Sequence, residues 1–126
     1  MKVSILLLIA AIAEVGFGLG LIATPELMMN IFGVTSNAGS LFLARMFGAA
    51  ILSLAILFWM SRNLTSTESL KPVLTAGLVY NLLAFVLILL ATLSGAISAT
   101  AWGAVVLHVL LTAGFGYFSF AKSGAG

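Results

Sequence analysis

The stretch VSILLLIAAIAEVGFGLGLIA, Val3 to Ala23, decides the fold, because it carries a single charged side chain, Glu14. A helix that crosses a hydrocarbon layer about 30 Å thick needs roughly 20 apolar residues. Val3 to Ala23 meets that length, and three further stretches match it: Ser40 to Met60, Pro72 to Leu93 and Thr100 to Phe120. None of them alternates apolar and polar residues with a period of two, so a membrane β-barrel is not expected.

Composition agrees. Of 126 residues, 63% are hydrophobic and 6% are charged. A soluble domain carries about 25% charged residues, so this chain could not cover a water-facing surface. The same apolar excess excludes disorder. The chain has no Cys, which removes disulfides, thiol nucleophiles and Cys-based metal or iron–sulfur sites. A net charge of +2 without a basic cluster gives no footprint for nucleic acid. The expectation is an all-α integral membrane protein: a single-domain four-helix bundle with up-down antiparallel topology, filling residues 1–126.

Charges outside the spans set the expected orientation. Lys2 precedes the first span, Arg62 and Lys71 lie in the second connection, and Lys122 follows the last span. The first and third connections hold no Lys or Arg. Every loop and tail cation therefore falls on one side, which the positive-inside rule assigns to the cytoplasm together with both termini. Trp102 near the outer ends, and Trp59 and Tyr117 near the inner ends, suit interfacial anchors. Met1-Lys2, the apolar run and Ala11-Ile12-Ala13 imitate a secretory signal with a small-residue cleavage site. The apolar run continues well past Ala13, so this segment is read as an uncleaved first helix.

In the first connection, Thr24-Pro25-Glu26 reads as an N-cap, a proline at the first helical position and an acid in the first turn. Leu27, Met28, Ile31 and Phe32 share one face, and Gly33 suits a C-terminal cap. A short amphipathic helix at the outer interface is expected, serving as a lid that seals the bundle or as a gate over a cavity. The second connection holds Thr65-Ser66-Thr67-Glu68 at capping-box spacing, followed by Lys71-Pro72. Its Asn63-Leu64-Thr65 sequon lies on the expected cytoplasmic side and carries no meaning there. A tight turn at Ser94-Gly95 makes the last two spans antiparallel neighbours. Gly16, Gly18 and Gly20 allow close helix approach in the first span.

Each span holds one strongly polar residue: Glu14, Arg45, Asn81 and His108. Such groups are costly inside a bilayer and face the bundle interior. At about 1.5 Å per residue, Glu14 and Asn81 sit about 16 and 13 Å from the inner ends of their spans and His108 about 12 Å from the outer end of its span, close to mid-membrane. Arg45 lies about 7 Å below the outer end of its span, with a side chain that could reach down to Glu14. Small residues one turn away mark helix-contacting faces: Ala10 and Gly18 for Glu14, Ala49 for Arg45, Gly77 for Asn81, Ala104 and Thr112 for His108. Tyr80 could offer its hydroxyl to the same network.

Two readings stand beside each other for this constellation. In one, Glu14 and Arg45 form a buried ion pair that fixes register, and losing one partner strands a charge at a cost of several kcal/mol. In the other, Glu14 exchanges a proton or binds a cationic substrate. His108 is read as a hydrogen-bonded core histidine, with a relay, ligand-contact or haem role as alternatives; no second His exists for bis-histidine ligation. Asn81 is read as an interhelical hydrogen-bonding residue. Catalytic arrangements find little support: there is no Asp, no Ser in a nucleophile-elbow context and no glycine-rich phosphate loop. No metal site or cofactor is expected, and the chain leans towards a non-enzymatic role.

Two resemblances follow from these residues. Ala13-Glu14-Val15 in the first of four short spans resembles the small multidrug resistance exporters, whose first-span Glu binds cationic drugs and protons in a homodimer. Over most of the chain, the glycine-rich first span, Thr24-Pro25-Glu26, Phe32-Gly33, Leu43-Ala44-Arg45-Met46-Phe47-Gly48, Trp59-Met60-Ser61-Arg62, Tyr80-Asn81 and Leu107-His108 look like the small bacterial four-helix membrane proteins of the DoxX-like type. The Ala44-Arg45-Met46-Phe47-Gly48 segment also resembles the sterol-scaffold family of the Erg28 type. The DoxX-like resemblance implies a bacterial inner-membrane protein that serves as an accessory subunit or in quinone- or lipid-linked processes. The expectation taken forward is a polar centre, open towards the outer half, that binds a lipid, a quinone or a partner subunit. A proton-coupled homodimeric exporter and a purely structural subunit are the alternatives.

Overall fold

A computed structural model describes residues 1–121, and these are all helix and connection. α1 (Val3–Ala23) leads into the short α2 (Pro25–Ile31), then α3 (Ala38–Ser61), α4 (Thr67–Leu93), a single 3-10 turn (Ala99–Ala101) and α5 (Trp102–Phe120). Four helices are long and apolar enough to cross a membrane: α1, α3, α4, and α5 with its leading turn. At 21 residues, α1 is about 32 Å long, which matches the hydrocarbon layer. The all-α four-helix bundle with a short helix after the first span is the architecture found. Lys122, used above to argue orientation, lies outside the described residues.

Helix boundaries follow local chemistry. α3 starts at Ala38 because Asn37 and Ser40 form a reciprocal capping box: the Ser40 amide donates to Asn37 Oδ1 at 3.0 Å, and the Asn37 amide donates to Ser40 Oγ at 2.8 Å. α4 starts at Thr67, not at the expected Pro72. Ser66 caps it by accepting from the Ser69 amide, so Pro72 falls in the second turn and leaves one backbone carbonyl there without its usual helical donor. Thr24 precedes α2 as expected, but its hydroxyl donates back to the Gly20 carbonyl at 3.1 Å and does not cap α2. Gly33 and Gly95, with φ of 70° and 75°, end α2 and turn the chain after α4 in the left-handed region open to glycine.

The helices pack in two hairpin-like pairs, α1 on α3 and α4 on α5, with thinner contact from α1 to α5 and from α3 to α4. Small residues let the first pair approach. A Cβ on Gly18 would meet the Gly48 carbonyl at 3.0 Å, and one on Gly48 would meet the Gly18 carbonyl at 2.8 Å. The two backbones therefore touch directly at this crossing, as small-residue contacts permit.

The pairs pack most closely in the half of the bundle that carries the α3–α4 connection. Leu6, Leu7, Ala10 and Ala11 of α1, Phe58 of α3, Leu70, Val73 and Leu74 of α4, and Leu111 and Phe115 of α5 form one buried cluster there. Phe58 and Phe115 rings lie 5.2 Å apart, and Phe115 presses on Gly77, where any Cβ would overlap the ring. The other half, towards α2, is not filled in this way.

Candidate functional site

The boundary between the packed half and the α2 half is where the polar residues gather. Glu14 is 2% exposed, Asn81 0% and His108 7%. Asn81 projects from α4 and His108 from α5, and Asn81 Oδ1 lies 2.9 Å from His108 Nδ1. Asn81 Nδ2 donates to the Gly77 carbonyl one turn earlier, at 2.8 Å. A carbonyl oxygen can only accept, so the amide nitrogen must face Gly77 and the amide oxygen must face the imidazole. His108 therefore carries a proton on Nδ1, and in the neutral ring Nε2 holds a lone pair.

Glu14 enters from α1, across the bundle from α4. Tyr80 donates its hydroxyl to Glu14 Oε2 at 3.3 Å. The Tyr80 ring also meets the His108 ring edge-on, with centroids 5.8 Å apart. Two hydrogen-bonded pairs, Glu14–Tyr80 and Asn81–His108, thus lie side by side and join three helices.

Arg45 stands apart. It is exposed on α3 and its Nε donates to the Ile22 carbonyl near the end of α1, at 3.3 Å. Ile22 is about 12 Å further along α1 than Glu14, beyond the reach of an ion pair. The expected Glu14–Arg45 pair is corrected on this point: the guanidinium turns to the helix end, where orphan carbonyls accept hydrogen bonds. The small-neighbour signal also misled here, since Ala49, one turn from Arg45, is itself exposed. Thr112 lies half-buried on the His108 face, and its hydroxyl donates to the His108 backbone carbonyl at 2.7 Å. It is bonded within α5 and adds nothing to the polar centre.

Above the polar pairs lies a cavity of about 370 Å³. Glu14, Tyr80 and His108 form its polar floor. Phe17 and Leu21 of α1, Phe47 and Ile51 of α3, Ala84, Leu87 and Ile88 of α4, and Ala104 and Leu107 of α5 form its walls, with Phe32, Val34 and Ile97 at the α2 end. Phe47 and Leu87 are 52% and 65% exposed although they line the cavity, so they stand at its rim, where α3 and α4 part. The opening faces sideways, into the region a bilayer occupies. These wall residues escaped sequence reasoning because Leu, Ile and Phe on the cavity side look like those on the lipid side.

α2 covers the end of the bundle. Phe32 stacks on Phe17 with centroids 6.3 Å apart, and Met28 packs on Gly20. The face expected for α2 splits: Met28 and Phe32 turn inward, whereas Leu27 and Ile31 are exposed. The α4–α5 connection holds this cover in place. The Ser98 amide donates to the Phe32 carbonyl at 2.8 Å, and the Ser98 and Thr100 hydroxyls both donate to the Ile31 carbonyl. The last carbonyls of α2 are thereby satisfied from the opposite hairpin.

Fold and site together define a small multi-pass membrane protein with a polar centre beneath a laterally open apolar cavity. Residues 1–120 match the family described as a domain of unknown function, DUF8292, and the chain belongs to that family. No curated protein and no solved structure matches it. Among the described residues, no three His, Cys, Asp or Glu side chains come together as a metal site.

Proposed function

We propose that this protein binds a small amphipathic molecule drawn from the bilayer, lipid- or quinone-like, in the cavity between its hairpins. The observation that carries this reading is the cavity itself: apolar walls, a floor made by Glu14, Tyr80 and His108, and a rim facing the membrane interior. Pockets of a few hundred Å³ with few convergent polar groups are the usual form of small-molecule sites. The likeness to DoxX-like proteins supports it, since Phe47, Tyr80, Leu107 and His108, which carry that likeness, line the cavity. We place the protein in a bacterial inner membrane with the α3–α4 connection cytoplasmic, so that α2 and the cavity belong to the outer half. A purely structural role would favour a Glu14–Arg45 pair with no cavity left, whereas a cavity lies beside Glu14 and Arg45 bonds to Ile22.

The test is native mass spectrometry of the mildly solubilised protein. A retained small apolar molecule is expected in the wild type, lost in Ala104→Phe, which fills the cavity, and kept in Val106→Phe, on the outer face. A wild-type protein that carries nothing, and takes up nothing from added lipid extract, would refute binding. One observation favours a second reading, the proton-coupled exporter acting as a homodimer: among the described residues Glu14 has no cationic partner. Proteoliposomes with no pH-driven cation flux, unchanged by Glu14→Gln, would exclude it.

A further inference from the structure

The floor of the cavity has a definite hydrogen-bonding polarity. The Gly77 carbonyl orients the Asn81 amide, the amide oxygen takes the Nδ1 proton of His108, and Nε2 is left as an acceptor. Nε2 makes no hydrogen bond with any described residue, yet it is not among the occluded unpaired atoms. His108 lines the cavity, so that lone pair opens into it. Glu14 is in the same position: Oε2 accepts from Tyr80, while Oε1 has no partner among the described residues, is not occluded and belongs to a cavity-lining residue. Two polar atoms from different helices therefore face one apolar space without protein partners. A polar atom left unsatisfied in such surroundings costs about 1–3 kcal/mol, which a bound molecule can recover.

Resting on the binding role proposed above, we infer that the molecule accepted here carries an uncharged hydroxyl head, an alcohol or phenol, on an apolar body. Nε2 can only accept, so the head must bring a proton donor. A ketone, ester or ether brings none. A hydroxyl both donates and accepts, so it can donate to Nε2 and accept from Glu14 in the protonated state of that carboxyl. An anionic head finds no cation: Arg45 is bonded at the end of α1, away from the floor. An anion buried there would lack the partner that such burial requires. A cationic head would have to shed its own hydration in a cavity whose walls are otherwise apolar, and only an ionised Glu14 could offset that cost. The site thus separates the hydroxyl form of a molecule from its carbonyl or ether form.

The chain has one histidine, so ¹⁵N-histidine labelling reports His108 alone. The protein in bicelles is titrated with 4-octylphenol, with its methyl ether 4-octylanisole, and with octylammonium, while the methyl signals of Ala84 and Ala104 report cavity occupancy. Octylphenol should shift both methyls and the Nε2 resonance, whereas octylanisole should shift the methyls and leave Nε2 unmoved. Octylphenol should also bind at least tenfold more tightly than octylanisole in the wild type and lose that advantage in His108→Leu. Octylphenol and octylanisole binding alike, with Nε2 unmoved by both, would overturn the hydroxyl inference and leave the cavity reading intact. Octylammonium moving Nε2 where octylphenol does not would overturn it in favour of a cation. Failure of all three to move the Ala84 and Ala104 methyls would overturn the binding role itself.

Discussion

Replacing Asn81 by Leu keeps the branching and heavy-atom count of the side chain and removes both of its hydrogen bonds. Asn81 is fully buried between α4 and α5, so the loss is not made good by water. The bond to Gly77 is local to α4, and that carbonyl can keep its helical backbone bond. The bond to His108 Nδ1, at 2.9 Å, is the interhelical one. Interhelical hydrogen bonds in membranes contribute about 0.6 kcal/mol on average and up to about 1.7. His108 would also keep a buried N–H without an acceptor, at about 1–3 kcal/mol, unless the ring moves its proton to the cavity side. The expected destabilisation is about 1–3 kcal/mol, measured by reversible unfolding in bicelles, for which Asn81→Asp, retaining an acceptor, should recover part. A double-mutant cycle with His108→Leu should give a coupling of about 1 kcal/mol. The single-histidine ¹⁵N spectrum should change in parallel, as Nδ1 and Nε2 share the proton. Asn81→Leu with wild-type stability and an unaltered histidine spectrum would refute the assigned tautomer and the network built on it.

Other positions give independent checks. Gly77→Val drives a side chain into the Phe115 ring, and unfolding measurements should show a loss of about 1–3 kcal/mol, the usual range for overpacking. Phe58→Ala removes the aromatic partner of Phe115 from the packed half and should cost about 3–5 kcal/mol in the same assay. Arg45→Gln should leave the His108 spectrum and cavity occupancy unchanged, whereas a Glu14–Arg45 pair would make that substitution severe. Ser98→Ala combined with Thr100→Val removes both hydroxyl donors to the Ile31 carbonyl and should raise hydrogen exchange in α2 without altering exchange around Leu7 or Leu74.

How far the sequence was legible follows from which signals are periodic and which are relational. Span existence rests on length and apolarity, so α1 was located to the residue. The apolar stretch starts at Pro72, but the helix starts five residues earlier, inside the Thr65-Ser66-Thr67-Glu68 capping signal, because the Ser66 cap outweighs the single hydrogen bond a proline removes. The α3 capping box was overlooked because Asn37 and Ser40 sit in a polar connection whose residues all resemble turn formers. Glu14, Asn81 and His108 are legible because a polar residue in a membrane helix has few places to go, and small neighbours at four-residue spacing mark its face. Arg45 broke that argument through its length: a long side chain near a helix end can turn to that end instead of the interior. The cavity left no signal at all, since an unfilled space is a property of how two hairpins diverge and not of any residue type.

The bundle is asymmetric, packed at the α3–α4 end and hollow towards α2. Xenon enters apolar cavities, so methyl NMR of the protein in bicelles under xenon pressure tests it directly. Methyl groups of Ile51, Ala104 and Leu107, around the cavity, should shift as xenon binds, while those of Leu7, Ala10 and Leu111 should not. Equal shifts in both sets, or none around the cavity, would contradict the account.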